Sequence, residues 1–242
     1  MKIHFTKMQG TGNDFIVINT ITQPAVLEAI ASGSLSAADW RRLADRRFGI
    51  GADQILLVQS AGQKSEADFV YRIFNADGQE VEQCGNGARC FARFVRDAGL
   101  SAARMIRVST KAGIITPTIH DDGLVTVDMG PPRFSVSDSG FDSVTLPHQR
   151  EGSADLWQLT APGGAAFWVT VVSMGNPHAV QWVADVDQYP VAEVGAWCES
   201  HPRFAQRGNA GFAQWQSDCG IRLRVYERGS GGTLAGGTGA SR

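Results

Sequence analysis

Short runs of alternating or continuous β-branched and aromatic residues dominate this chain, and runs at helical spacing are few. "KIHFTKM", "DFIVINT", "QILLVQ", "DFVYRIFN", "RMIRVST", "GIITPTIH", "LVTVDMG", "FWVTVVSMG", "HAVQWV", "AGFAQWQ" and "IRLRVYE" all read as strands. Most are bounded by Gly, Pro, Asn or Asp. Three stretches read as helices. "SAADWRRLADRRFG" starts at a Ser36 cap and is expected to end at Gly49. "GARCFARFVRDAG" runs from a loop at 85–87 to Gly99 and gathers Phe91, Phe94 and Val95 on one face. A shorter, interrupted pattern lies near 191–200. The pattern predicts an α+β chain with long antiparallel sheets and few helices.

The chain also resembles itself. At an offset of 152 residues, "YRIFNADGQEVEQCGNGARC" (71–90) falls on "LRVYERGSGGTLAGGTGASR" (223–242). Arg72 meets Arg224, Ile73 meets Val225 and Phe74 meets Tyr226, while Gly85, Gly87 and Ala88 meet Gly237, Gly239 and Ala240. "GND" (12–14) pairs with "GNPH" (175–178) at another offset, so insertions separate the copies. Two similar lobes are expected, each ending strand–loop–helix. The first is placed at 1–135 with a loop at Cys84. The second is placed at 136–242, incomplete, with a glycine-rich loop at 229–239.

Composition narrows the function classes. With 242 residues, 43% hydrophobic and 19% charged, the chain can bury a substantial core. The net charge of −2 comes from interspersed residues, so no nucleic-acid or membrane surface is expected. No apolar run reaches the length of a membrane span, and "MKIHFTKMQG" has no apolar signal core. A cytoplasmic location is the expectation, and a homodimer is compatible with the chain. The four cysteines, Cys84, Cys90, Cys198 and Cys219, match neither a disulfide framework nor a zinc site. No metal is expected. Cys90, Cys198 and Cys219 read as small buried hydrophobes.

Cys84 differs from the other three. In "CGNGARC" it opens a helix, where the positive end of the dipole favours thiolate. Gly85 and Gly87 admit close approach of a ligand to backbone amides that can bind a carboxylate. One segment therefore offers a base beside an anion site. Asn13, Asn75, Asn86, Asn176 and the pair Glu227–Arg228 are short polar or charged residues near glycines, which also suits a binding site.

In order along the chain, "FTKMQGTGNDFIVI", "RRFGIGADQILLV", "YRIFNADGQEVEQCGNGARCFARFV", "VDMGPP", "VVSMGNPHAV", "HPRF", "RGNAGFAQ" and "VYERGSGGTLAGGTGA" resemble the diaminopimelate epimerase family. The resemblance implies two pseudo-symmetric lobes, each a mostly antiparallel β-sheet wrapped around a central helix, with the active site between them. It implies a cofactor-independent, pyridoxal-free isomerase that converts LL-2,6-diaminopimelate to the meso form for lysine and peptidoglycan precursors. In that chemistry one cysteine thiolate removes the α-proton and a second thiol protonates the opposite face. Helix-end amides hold the charge that develops on the carboxylate. Carried over residue by residue, Cys84 is one catalytic thiol. Asn13, Gln54, Asn75, Gly85, Asn86, Asn176, Asn209, Glu227, Arg228, Gly237 and Thr238 line the substrate, and His178 and Glu227 tune the thiols.

The sequence departs from the family at the second thiol. Gly236 stands opposite Cys84 in the repeat, where the family carries cysteine, and Gly232 stands where the family usually carries glutamate. The family also continues for about thirty residues past Arg242, through a second central helix. Impaired activity is therefore expected. So is exposure of apolar residues in 167–172 and 221–226, which that helix would cover. The alternatives are a non-catalytic remnant or binding protein with the same fold, and a related amino-acid isomerase or dehydratase. The dehydratase reading is weakened because glycine offers no hydroxyl in place of the thiol.

Overall fold

The computed structural model describes residues 1–81, 84–161, 163–228 and 231–233. The chain divides into two compact units, Met1–Met129 and Gly130–Arg242.

The first unit holds β1 (Thr6–Gly10), β2 (Asn13–Asn19), α1 (Pro24–Ala31), α2 (Ala37–Ala44), β3 (Gln54–Ser60), β4 (Phe69–Asn75), β5 (Glu80–Val81), α3 (Gly85–Asp97), β6 (Val108–Thr110) and β7 (Gly113–Ile115). Its sheet runs β1-β2-β3-β4-β6-β7, with β5 paired to β4. The β2–β3 and β4–β6 pairs are parallel and the others antiparallel. A two-stranded ribbon, β8 (Thr118–Ile119) and β9 (Val125–Thr126), completes the unit.

The apolar runs in β2 and β3 are continuous because both faces of this sheet are covered. Phe15, Val17, Leu56, Val58, Tyr71 and Ile73 face one way and pack with Phe91, Phe94 and Val95 of α3. Ile16, Ile18, Ile55, Leu57 and Phe74 face the other way and pack with Val26 of α1 and Trp40 of α2. Period-two alternation thus divides one strand between two cores.

The second unit holds β10 (His148–Glu151), β11 (Ala154–Thr160), β12 (Ala166–Ser173), β13 (Pro177–Trp182), α4 (Val191–Glu199), β14 (Asn209–Ser217), β15 (Gly220–Glu227) and β16 (Gly231–Thr233), in one sheet ordered β10 to β16. Only β13–β14 is parallel. One face packs Leu159, Val169, Val171, Ala179, Ala210 and Phe212 against Val191 and Cys198 of α4.

The internal repeat is visible in the topology. The pairings β1–β2–β3–β4 and β12–β13–β14–β15 are each antiparallel, parallel, antiparallel. In both units the parallel step is made through helix: α1 and α2 in the first, α4 in the second.

Several sequence expectations need correction. The helix expected to reach Gly49 stops at Ala44, because the Asp45 carboxylate accepts the Arg47 and Phe48 amides and the Ile50 and Gly51 amides fold back onto Leu43 O. The run 113–120 is broken at Pro117, and the run 124–130 keeps only Val125–Thr126 as strand. Helix α1 and strands β5, β10 and β11 fall outside the expected runs, and Gly231–Thr233 of the loop expected at 229–239 form strand β16, because they pair with β15. Residues 167–172 are buried or half-buried, since Phe167 packs on Trp197 of α4 and Val169 and Val171 join its core. Of 221–226, Ile221 is exposed as expected while Val225 is buried; Trp182 and Trp215, near Ile221 at the same end of the sheet, are the other exposed large apolar side chains among its described residues.

Phe91 is fully buried and meets Tyr71 and Phe69 edge-on, with centroids 5.5 and 6.1 Å away. Phe91→Ala is expected to cost about 3–5 kcal/mol, read as a lowered urea midpoint. A loss below about 1 kcal/mol would show that α3 does not anchor this core.

Candidate active site

At one end of the first sheet, three strands deliver polar side chains into a buried setting. Asn13 begins β2, Gln54 begins β3 and Asn75 ends β4, at 2, 7 and 4% exposure. Parallel pairing puts the starts of β2 and β3 together, and antiparallel pairing sets Gln54 opposite Asn75. The Gln54 Nε2 donates to Asn75 Oδ1 at 2.8 Å. Asn75 is held by the turn that follows, where its carbonyl accepts the Gly78 amide at 2.8 Å. Gly78 sits at φ +81°, and a β-carbon there would lie 2.2 Å from Ala37 O, so a side chain has no room.

Cys84 caps the N-terminus of α3 and is half-buried. Its Sγ accepts the Asn13 Nδ2 at 3.7 Å. Its carbonyl accepts the Ala88 amide at 2.8 Å and the Tyr71 hydroxyl at 3.3 Å. Gly85 and Asn86 form the first turn, fully buried. The opening amides of a helix have no acceptor within it. Gly87 is required by close packing: a β-carbon there would lie 2.4 Å from the Tyr71 hydroxyl. The Asn86 Oδ1 accepts Arg89 and, at 3.4 Å, the Thr11 hydroxyl, so the β1–β2 turn is tied to α3.

Burial, and then the nearby Cys84, push the Tyr71 phenol well above its ordinary range, so it remains a neutral donor. Burial also raises Cys90 to about 11 and Cys198 to about 12, with Glu199 adding to the latter. The Asn13 Oδ1 and Gln54 Oε1 are buried acceptors with no hydrogen-bond partner among the described residues.

The second unit gathers an equivalent set. Asn176 precedes β13 and accepts His178 Nε2 at 2.9 Å; His178 is 1% exposed. His178 is paired across the parallel step with Asn209. Asn209 donates to Pro177 O at 3.2 Å and accepts the Arg228 amide at 2.9 Å, so its side chain ties β13 to the end of β15. Glu227 is the last residue of β15, half-buried, and Arg228 follows it. The first unit therefore brings together Asn13, Gln54, Asn75, Cys84, Gly85 and Asn86, and the second brings together Asn176, His178, Asn209, Glu227 and Arg228. Gly236, Gly237 and Thr238, and most of the loop at 229–239, lie outside the described residues.

The sequence matches the diaminopimelate epimerase family over residues 5–135 and 170–242. A diaminopimelate epimerase of Aromatoleum aromaticum is 55% identical over 240 residues, spanning 99% of this chain and 80% of that protein. The chain belongs to the diaminopimelate epimerase family. Among solved structures, a hydroxyproline epimerase of Agrobacterium vitis covers 98% of this chain and 74% of its own length at 15% identity, with a TM-score of 0.66. A PhzF-family phenazine biosynthesis protein of Bacillus anthracis covers 99% and 78% at 17% identity, with a TM-score of 0.55. These two share the α+β, two-lobed, pseudo-symmetric fold.

For a member of this family, several supporting residues escaped the sequence reading. Tyr71 reads there as one more core aromatic, and its contact with Cys84 is made across 13 residues. Arg89 and Thr11 act on Asn86 from separate elements. Cys219 was expected to be buried and is exposed, because it lies in the tight turn joining β14 to β15. Among the described residues, no group of His, Cys, Asp or Glu is placed to hold a metal ion, and no helix is long and apolar enough to cross a membrane.

At pH 7 a thiol raised to about 11 or 12 is on the order of 10⁻⁴ thiolate or less, against a few per cent for an ordinary one. Iodoacetamide is therefore expected to label Cys84 first and Cys219 second, and to spare Cys90 and Cys198 even near pH 9. Residue-resolved mass spectrometry of the reduced, folded chain checks this. Early labelling of Cys90 or Cys198 would contradict the burial argument.

Proposed function

We propose that this chain acts on the α-carbon of diaminopimelate, with Cys84 as a thiolate base. The observation that carries the reading is the setting of Cys84: a helix cap whose sulfur already accepts the Asn13 amide. The thiolate takes the α-proton and becomes a thiol. The electron pair left on carbon spreads into the substrate carboxylate, whose oxygens are held by the amides at the start of α3. Asn13 Oδ1 and Gln54 Oε1 are buried acceptors that suit the substrate's ammonium groups. Asn75, Gly85, Asn86, Asn176, Asn209, Glu227, Arg228, Gly237 and Thr238 complete the proposed binding set, with His178 and Glu227 adjusting acid–base strength. Every step runs through the chain's own groups.

Gly236 carries no acid or base, whereas the two-base reaction of the family uses a thiol at that position. We infer that the chain exchanges the α-proton through Cys84 and returns it to the same face, with little inversion. Losing a general acid–base group costs roughly 10²–10⁴-fold.

Incubation with LL-diaminopimelate in D₂O, followed by mass spectrometry and chiral chromatography, tests both parts. Slow deuterium uptake with retained configuration is expected. Cys84→Ala should abolish uptake, and Gly236→Cys should increase meso product. Rapid meso formation by the unaltered chain, on the order of 10 per second, would overturn the one-base reading. Uptake that survives Cys84→Ala would overturn the role of Cys84.

A further inference from the structure

Beside the first-unit site lies a charged cluster that the chemistry above does not use. Asp14 and Asp53 face each other one residue beyond the last parallel pair of β2 and β3, Phe15 with Gln54. Each carboxylate accepts the other's backbone amide: Asp53 N–H donates to Asp14 Oδ1 at 2.8 Å, and Asp14 N–H to Asp53 Oδ2 at 3.1 Å. The guanidinium of Arg46 joins them. Its Nη1 and Nη2 meet Asp14 at 3.0 and 2.7 Å, and Nη2 also meets Asp53 Oδ1 at 2.8 Å. Lys7 pairs with Asp14 at 2.8 Å and donates to Gly51 O. Arg46 extends from the 45–52 loop, whose own backbone and Asp45 hydrogen bonds fix its course.

Two carboxylates this close repel unless a cation lies between them. Burial alone would raise the Asp14 carboxyl; the hydrogen bonds from Arg46, Lys7 and the Asp53 amide hold it well below the ordinary range. The cluster thus holds the backbone next to two site residues, Asn13 just before Asp14 and Gln54 just after Asp53. Asn13 carries the amide that meets Cys84 Sγ.

We propose that Arg46, Asp14 and Asp53 form a positioning clamp that holds the Asn13 amide against the Cys84 sulfur and so sets the reactivity of that thiol. The groups that meet Cys84 from the packed elements include the Asn13 amide of β2 and the neutral Tyr71 phenol of β4. On α3, Cys90 is held protonated by burial, and Arg89 is tied to Thr11 and Asn86. An Asn13 amide that drifts out of reach removes a donor to the thiolate. The inference rests on the reading of Cys84 as the reactive base, and it adds residues that touch neither sulfur nor substrate.

The test is residue-resolved iodoacetamide labelling of the reduced chain from pH 6 to 9, with Cys219 as the internal reference. Arg46→Gln is expected to slow Cys84 at pH 7 by about 3- to 10-fold, the worth of one hydrogen bond. It should also move the inflection of the Cys84 profile to higher pH, with Cys219 unchanged. Arg46→Lys keeps the charge but cannot bridge two carboxylates with a planar fork, so it should not restore the rate fully. An Arg46→Gln chain that is folded by circular dichroism and keeps the wild-type Cys84 profile would overturn the proposal. Full recovery in Arg46→Lys would do the same. If Arg46→Gln does not fold, Asp53→Asn, which leaves the Arg46–Asp14 pair in place, is read by the same criteria. A wild-type Cys84 no more reactive than Cys219 would overturn both this inference and the reading of Cys84 as a base.

Discussion

A parallel strand pair with an antiparallel neighbour on each side is the constraint from which the site follows. Parallel strands begin at the same end of a sheet, and an antiparallel neighbour finishes where they begin. Asn13, Gln54 and Asn75, from three separate segments, therefore meet at one sheet end without any local signal between them. The second unit repeats the arrangement with His178 and Asn209 on its parallel pair and Glu227 at the end of the antiparallel neighbour. Helical crossovers make both arrangements possible, because a parallel connection must carry the chain back along the sheet.

Polar groups gathered in this way are buried, and a buried polar group without a partner is costly. The first unit satisfies part of the demand internally. Gln54 donates to Asn75, Asn13 donates to the Cys84 sulfur, and Asn86 accepts Arg89 and Thr11. Two carbonyl oxygens, on Asn13 and Gln54, have no hydrogen-bond partner among the described residues. Under the proposed function, a ligand with several donors would recover that unsatisfied bonding on binding, a physical basis for preferring a diammonium substrate to an apolar one.

Reactivity is confined by the same burial. Of the three cysteines in or beside packed cores, Cys90 and Cys198 are enclosed by apolar side chains and held protonated. Cys84 is half-buried at a helix cap with an amide donor on its sulfur. One residue type is thus inert packing at two positions and a candidate base at a third. The distinction comes from what surrounds the sulfur.

By itself the sequence determined the strand-rich α+β class, the repeat, the helix after Cys84 and most of the residues at the two sheet ends. These are legible because alternation, glycine punctuation and helix caps act over a few residues, and because the motif blocks survive in order. It missed α1, which starts at Pro24 without a side-chain cap hydrogen bond, β10, whose four residues are polar and exposed, and β11, whose pairing is made by the rest of the sheet. It also extended α2 past Ala44, since the Asp45 turn and the folded-back 49–52 backbone compete with the helix through contacts that no periodicity records. Only the tertiary structure decided that Tyr71 touches Cys84, that Arg46 bridges Asp14 and Asp53, and that Asn209 serves as a tie between strands. Those contacts join residues 7 to 32 positions apart through strand register and the packing of loops and helix ends on the sheet, which no single stretch of chain encodes.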